Sequence, residues 1–240
     1  MFTSLGGEFN KSEHPLLKRF IKGVFNLRPP KPRYSQIWDI GCVLTYLRSL
    51  GDTQLLPLKL LTYKLVTLLM LLSASRVNYI SSLSIDNMVL TNDSCTFFPT
   101  KLLKHSRPSF LGNPLRFRAY PLDSHLCVIA TLHEYVSRRN QLTASTCTQL
   151  LISHVKPHHP VHKDTVARWL KEVLDNSGID SSIFTAHSFR SANSAHSSKV
   201  PIGEILKQGQ WTTEKTWYNY YHKEIVSSQS TTFADGVLQN

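Results

Sequence analysis

Apolar residues recur three or four positions apart from Ile37 through Ile40, Val43, Leu44, Leu47 and Leu50, the spacing of a helix with one buried face that begins near residue 35. The next segment, residues 57–72, is apolar nearly all round, interrupted by Lys59 and Lys64, and a helix without a polar face belongs inside a core. Between residues 84 and 122 the period shortens. Val89, Thr96, Phe97, Phe98 and the stretch LRFRAYPL read as short strands around a Thr-Asn-Asp-Ser turn, which predicts a small antiparallel sheet. Helical spacing returns over residues 124–138 and 164–176. The second of these puts Val166, Trp169, Leu170, Val173 and Leu174 on one face and Gly178 just past its end. Three last helices are predicted over 186–199, 201–208 and 214–223. The pattern is α+β and mostly helical, with a small sheet inserted early and no internal repeat.

The stretch LRPPKPRYSQ, residues 27–36, combines three prolines with Arg28, Lys31 and Arg33 and reads as an extended basic linker. Residues 16–26 have the pattern of a short helix, but about 26 residues cannot bury a core of their own. Residues 1–34 are therefore expected to be the remnant of an upstream domain plus its linker. The main folded unit is expected over 35–225 and a weakly patterned polar tail over 226–240.

Composition narrows the partners. With 41% hydrophobic residues the 240-residue chain can bury a core, and 27 Lys and Arg against 16 Asp and Glu leave a net charge of +11. Such an excess favours polyanions, nucleic acid ahead of acidic membrane surfaces. Cys42, Cys95, Cys127 and Cys147 lie far apart without a CxxC pair, which suits a reducing compartment. The first residues lack an apolar signal core and residues 58–72 are too short to span a bilayer. A soluble protein of the nucleus, or of the cytoplasm outside eukaryotes, is expected.

Common catalytic signatures are absent: there is no GxxxxGK[ST], GxGxxG, HExxH or GxSxG, and the acidic residues are too scattered for a two-metal nuclease. His154, His158, His159 and His162 cluster, but Pro157 and Pro160 break any helix that would align them, so they read as a solvated loop and no metal is expected. Four other boxes stand in order. SASRVNYISSLSID carries Arg76 at the start of a helix whose Val77, Ile80 and Leu83 face inward. TKLLKHSRP carries Lys101, Lys104 and Arg107 in or beside the sheet. TAHSFRSANSAH carries His187 and Arg190, three apart and hence on one helix face. GQWTTEKTWYNYYHKE carries Trp211 and several tyrosines.

This order of Arg, Lys, His-x-x-Arg, Trp and Tyr resembles the tyrosine recombinase (phage integrase) family, most of all the recombinases of DIRS-type retrotransposons. The resemblance runs over residues 38–225. It implies the catalytic domain of a DNA breaking-rejoining enzyme that carries out site-specific recombination or integration. Such an enzyme needs no cofactor, binds double-stranded DNA, self-associates on it, and attaches to DNA through a 3′-phosphotyrosyl bond.

The residue types suit that chemistry. Cleaving a phosphodiester without metal needs a nucleophile, cations for the two non-bridging oxygens and an acid for the departing 5′-oxygen. Guanidinium groups are planar, permanently charged and bidentate, so Arg76 and Arg190 are the expected clamp on the phosphate. By resemblance His187 assists proton transfer, and Trp211 stands where many relatives have a second histidine, with an N–H that donates but cannot titrate. The stretch LLKHSRP resembles the Lys-x-x-Arg-Pro of the DIRS-type enzymes and favours Lys104 as the acid, with Lys101 as the alternative. Lys31, Arg33, Lys101 and Arg107 are expected to touch DNA backbone. For the nucleophile, Thr216, Trp217, Tyr220 and Lys223 align with the DIRS-type pattern and give Tyr221. A nine-residue step from Trp211 gives Tyr220 instead, and Tyr218 reads as a packing residue.

In the family a helical core-binding domain and the catalytic domain clamp DNA between them. Here the chain starts just before the linker, so half of that clamp is expected to be missing. A non-catalytic DNA-binding protein derived from a mobile element would share every fold feature and differ in turnover alone. A type IB topoisomerase and a metal-dependent nuclease are the remaining alternatives, the latter separated by cleavage in EDTA.

Overall fold

The computed structural model describes residues 14–29, 33–102, 106, 108–109, 111–196, 200–209, 211, 213–221 and 223–225. The chain divides into two compact units, Met1–Tyr34 and Ser35–Asn240. In the first, helix α1 (Pro15–Leu27) starts on a proline, whose missing N–H is no loss in a first turn. Its Leu16, Phe20, Ile21, Val24 and Phe25 are exposed.

The second unit follows the order β1 (Gln36–Ile37), α2 (Ile40–Ser49), α3 (Leu58–Ser73), α4 (Val77–Ser81), β2 (Met88–Leu90), β3 (Ser94–Phe97), β4 (Leu115–Arg118), α5 (Val128–Leu142), α6 (Lys163–Asn176), α7 (Ser188–His196), α8 (Ile202–Gln208), α9 (Glu214–Tyr220) and β5 (Glu224–Ile225). The segment predicted to be buried all round is α3, which forms the axis of the core. Residues 61–71 are all buried, and α5, α6 and α7 pack around them. Each fully buried leucine there contributes about 1.5–3 kcal/mol. Lys64 lies in the middle of α3 and is fully buried. Its Nζ donates to Thr53 Oγ1 at 2.9 Å, and burial holds its pKa below the usual lysine range against the pull of Asp52 and Asp123. Arg139 is buried as well, its guanidinium donating to the carbonyls of Gln149 and Cys147 and so organising the loop after α5.

The antiparallel sheet has the order β2-β3-β4, with Cys95 opposite Phe117 and Phe97 opposite Leu115, all four buried. Arg116 and Arg118 point outward from β4, as period-2 alternation requires. Several boundaries differ from those the sequence predicts. Ile37 belongs to a strand, because Asp39 accepts a hydrogen bond from the Gly41 N–H at 2.8 Å and starts α2 there. Val89 and Phe98 are exposed, Phe98 lying just beyond β3. The helix expected from residue 124 opens as a tight 3₁₀ turn at Ser124–Leu126 and becomes α-helical at Val128. The last helix ends at Tyr220, because the chain turns into β5, which pairs in parallel with β1.

Candidate active site

Three turns and two helix starts supply the side chains. At the end of α3, Ala74 adopts a left-handed conformation with φ 47°, an arrangement that strains a residue with a Cβ and turns the chain sharply into the next helix. Arg76 follows as the extended N-cap residue of α4. That helix is a single turn, so Leu83 lies outside it, although Ile80 and Leu83 are buried as predicted and Val77 is half-buried. Tyr79, also buried, anchors the turn by donating to the Asn113 carbonyl at 3.2 Å.

Arg190 sits in the first turn of α7 and is 3% exposed. Its Cζ stands 4.2 Å from the ring centroid of Trp211 and 5.0 Å from that of Tyr221, and the two rings are 4.9 Å apart. The guanidinium donates through Nη2 to the carbonyl of Gly209, and Tyr221 lies near enough to favour its charged form. Burial pulls the Arg190 pKa down to about 10; the nearby Tyr221 works against that shift and the positive charge of Arg76 adds to it, so the group stays charged at neutral pH. Arg76 is thus within electrostatic reach of Arg190.

Trp211 closes the arrangement. Ala74, Ile205, Trp211 and Trp217 form one buried cluster, with Leu206 and Tyr221 packed against it. Gly209 makes room for it: a Cβ at that position would lie 1.7 Å from Trp211 Cζ3, so the indole lies directly across the glycine. Two buried donors here, Arg190 Nε and Trp211 Nε1, have no acceptor among the described residues. Stranding a buried donor is unfavourable by about 1–3 kcal/mol, so this pair marks a place suited to an incoming anion.

Other expected site residues are placed differently. His187 lies in the turn before α7, not on a shared helix face with Arg190, and is exposed while Arg190 is buried; the helix begins one residue too late to include it. Tyr218 is 62% exposed, and its ring meets that of the buried Trp217 edge-on with centroids 6.5 Å apart. Lys101 is exposed after β3, and Arg33, in the first unit, stands 5.6 Å from the centroid of the Tyr34 ring. Lys31, Lys104 and Arg107 fall outside the described residues, as does the side chain of Tyr220. Gly209 and Ala74 carry no signal in the sequence that marks them as site residues; only the single residue between Gly209 and Trp211 hints at their contact.

The histidine cluster is not a solvated loop throughout. His154 packs its ring 5.4 Å from Trp169 and 5.7 Å from Tyr63, and its Nδ1 is buried. His158 Nδ1 bonds the Ser153 carbonyl and His162 Nδ1 bonds Asp164, so the rings serve local turns. Among the described residues no group of three His, Cys, Asp or Glu side chains could hold a metal ion.

Comparisons with known proteins bear on the family and the fold. The sequence model of the phage integrase family matches residues 54–225. No curated protein matches the chain. Among solved structures, the XerH site-specific recombinase bound to palindromic difH substrate in a post-cleavage complex superposes with a TM-score of 0.58 at 15% identity, over 78% of this chain and 50% of that one. The XerA recombinase gives 0.56 at 15% identity, over 89% and 72%. The Tn1549 transposon integrase in complex with transposon right-end DNA gives 0.56 at 10% identity, over 88% and 66%. At these identities the likeness is one of fold. The chain spans about half the length of the XerH recombinase.

Proposed function

This chain belongs to the phage integrase family of tyrosine recombinases, and from its site we propose that it cuts and rejoins double-stranded DNA through a covalent 3′-phosphotyrosyl intermediate. The observation that carries the reading is the buried Arg190, stacked on Trp211 and 5.0 Å from the Tyr221 ring centroid, with a donor of its own and one of the indole unpartnered among the described residues. A non-bridging phosphate oxygen would satisfy both donors at once.

In this mechanism Arg190 and Arg76 hold the scissile phosphate and stabilise the charge that builds up on its oxygens. Tyr221 Oη attacks phosphorus, its proton leaving with the help of His187. The bond from phosphorus to the 5′-oxygen breaks, and Lys104, or Lys101 in its place, delivers the proton to that oxygen. The 5′-hydroxyl of another strand reverses the sequence and rejoins the DNA, so no bond energy is lost and no cofactor is consumed. Lys31, Arg33, Lys101 and Arg107 contribute backbone contacts that weaken with salt. The palindromic substrate of the XerH complex suits two copies acting together, and we extend self-association on DNA to this chain. The finer likeness to DIRS-type retrotransposon enzymes, with a nuclear place of action, rests on LLKHSRP and on the spacing from Trp211 to Tyr221.

The test is a nicked suicide substrate offered in EDTA. A protein–DNA adduct that survives denaturation is expected, and Tyr221→Phe abolishes it while DNA affinity is kept. Loss of the adduct in Tyr220→Phe instead moves the nucleophile by one residue. A protein that binds the DNA and never becomes attached is a non-catalytic DNA-binding protein, and the proposal fails.

A further inference from the structure

We infer that Trp38 is a positioning residue for Arg190, acting through the first turn of α7; the inference rests on the function proposed above. Trp38 lies between β1 and α2, 3% exposed. Its indole N–H donates to Ser188 Oγ at 2.8 Å in a buried contact, and that hydroxyl in turn donates to the Thr185 carbonyl at 2.7 Å. The Trp38 ring meets the Phe189 ring edge-on at 5.0 Å, and Phe189 is fully buried. Ser188 and Phe189 are the first two residues of α7. Arg190 is the third, and His187 immediately precedes them. One indole therefore fixes the start of the helix in two ways, by a directional bond and by a packed ring.

The same short segment reaches the other half of the site. Gln36 and Ile37 pair with Glu224 and Ile225, and β5 begins three residues after Tyr221. Helix α7 packs against both β1 and β5. Residues 36–38 thus touch the helix that carries the arginine and the strand that leads away from the tyrosine, and they set the spacing between the two. That spacing is tight. Arg190 Cζ is 5.0 Å from the Tyr221 ring centroid, and misplacement by about 1 Å can slow an enzyme as much as a hundredfold. Packing alone does not require the indole N–H, because phenylalanine fills an edge-on site equally well. Its bond to Ser188 is the feature that a role in packing leaves unexplained.

The experiment measures the single-turnover rate of adduct formation at saturating nicked substrate, together with the DNA Kd, for the full chain and three variants. Trp38→Phe keeps the ring and deletes the donor. Ser188→Ala keeps the indole and deletes the acceptor, so one of the two stays informative if the other folds poorly. Each is expected to slow adduct formation about tenfold while Kd changes less than about twofold, because the arginine shifts without being lost. The double variant is expected to fall no further than the slower single one, since both changes remove the same bond. Rates unchanged in both single variants, or effects that multiply in the double, overturn the inference while leaving the function intact. An unsubstituted chain that binds DNA without forming an adduct overturns both.

Discussion

Replacing Gly209 by alanine should damage the site through contact alone. The residue has φ −80° and ψ −2°, values any amino acid adopts, so the backbone is not strained by the change. The added methyl would lie 1.7, 2.1 and 2.4 Å from Cζ3, Cε3 and Cη2 of Trp211, well inside van der Waals contact. The obstacle is the six-membered ring of a 9% exposed indole, held between Arg190, Tyr221, Ile205 and Trp217. It has no free end to swing aside. Forced overpacking of this kind is unfavourable by about 1–3 kcal/mol, and the disturbed cation–π contact with Arg190 adds on the order of 0.5–1 kcal/mol. For a unit of this size each kcal/mol lowers the melting midpoint by roughly 2–4 °C, so Gly209→Ala should melt roughly 3–16 °C below the parent in circular dichroism or calorimetry. Because the Gly209 carbonyl accepts from Arg190, adduct formation should slow as well. Trimming the obstacle tests the cause: Trp211→Leu added to Gly209→Ala should lose less than the two single changes together. A Gly209→Ala protein that melts within about 1 °C of the parent refutes the contact, and with it the placement of Trp211 against Arg190.

Arg190→Lys keeps a charge but loses the plane that stacks on Trp211 and the fork that grips phosphate, so adduct formation should drop about 10²–10³-fold with a smaller loss of DNA affinity; a lysine variant within threefold of the parent rate argues against the clamp. Arg139→Met retains volume and strands the Gln149 and Cys147 carbonyls, a loss of about 1–3 kcal/mol that should lower the urea midpoint at an unchanged m value. His154 is held neutral by burial, with Lys59, Arg168 and His158 pushing its pKa further below the ordinary 6.5 and Glu172 opposing them. The unfolded chain takes up that proton first as pH falls, so folding stability is lost below about pH 6.5 until the folded-state pKa is reached. Urea titrations at about pH 7.5 and 5.5 should show the gap narrowing in His154→Phe, and an equal gap in both proteins removes His154 as its source.

What could be read from the sequence were features with a local cause. The apolar run of α3 has one solution, burial, and Gly178 ends α6 at φ 75° because a left-handed cap there suits glycine. Arg76, Arg190, Trp211 and Tyr221 stood out because their chemistry belongs together, and the fold brings three of them into contact. Features that arise from pairing distant segments left no trace. Two-residue strands such as β1 and β5 have no period to detect, and the burial of Lys64 depends on Thr53 and Gly51 in a turn eleven and thirteen residues away. His187 missed its helix face because spacing predicts a face only inside a helix, and α7 starts one residue after it.

The pairing of β1 with β5 also has a kinetic consequence. Its register joins Gln36 to Glu224, close to the largest sequence separation available within the second unit, and each strand contributes only two residues. Closing so long a loop for so little contact puts this step late in folding, after the helices around α3 have condensed. During synthesis residues 35–196 emerge before Trp211 and Tyr221, so the scaffold that holds Arg76 and Arg190 can form on a nascent chain before the proposed nucleophile has been made. Native-state hydrogen exchange should find the amides of β5 among the first to open, well before those of α3.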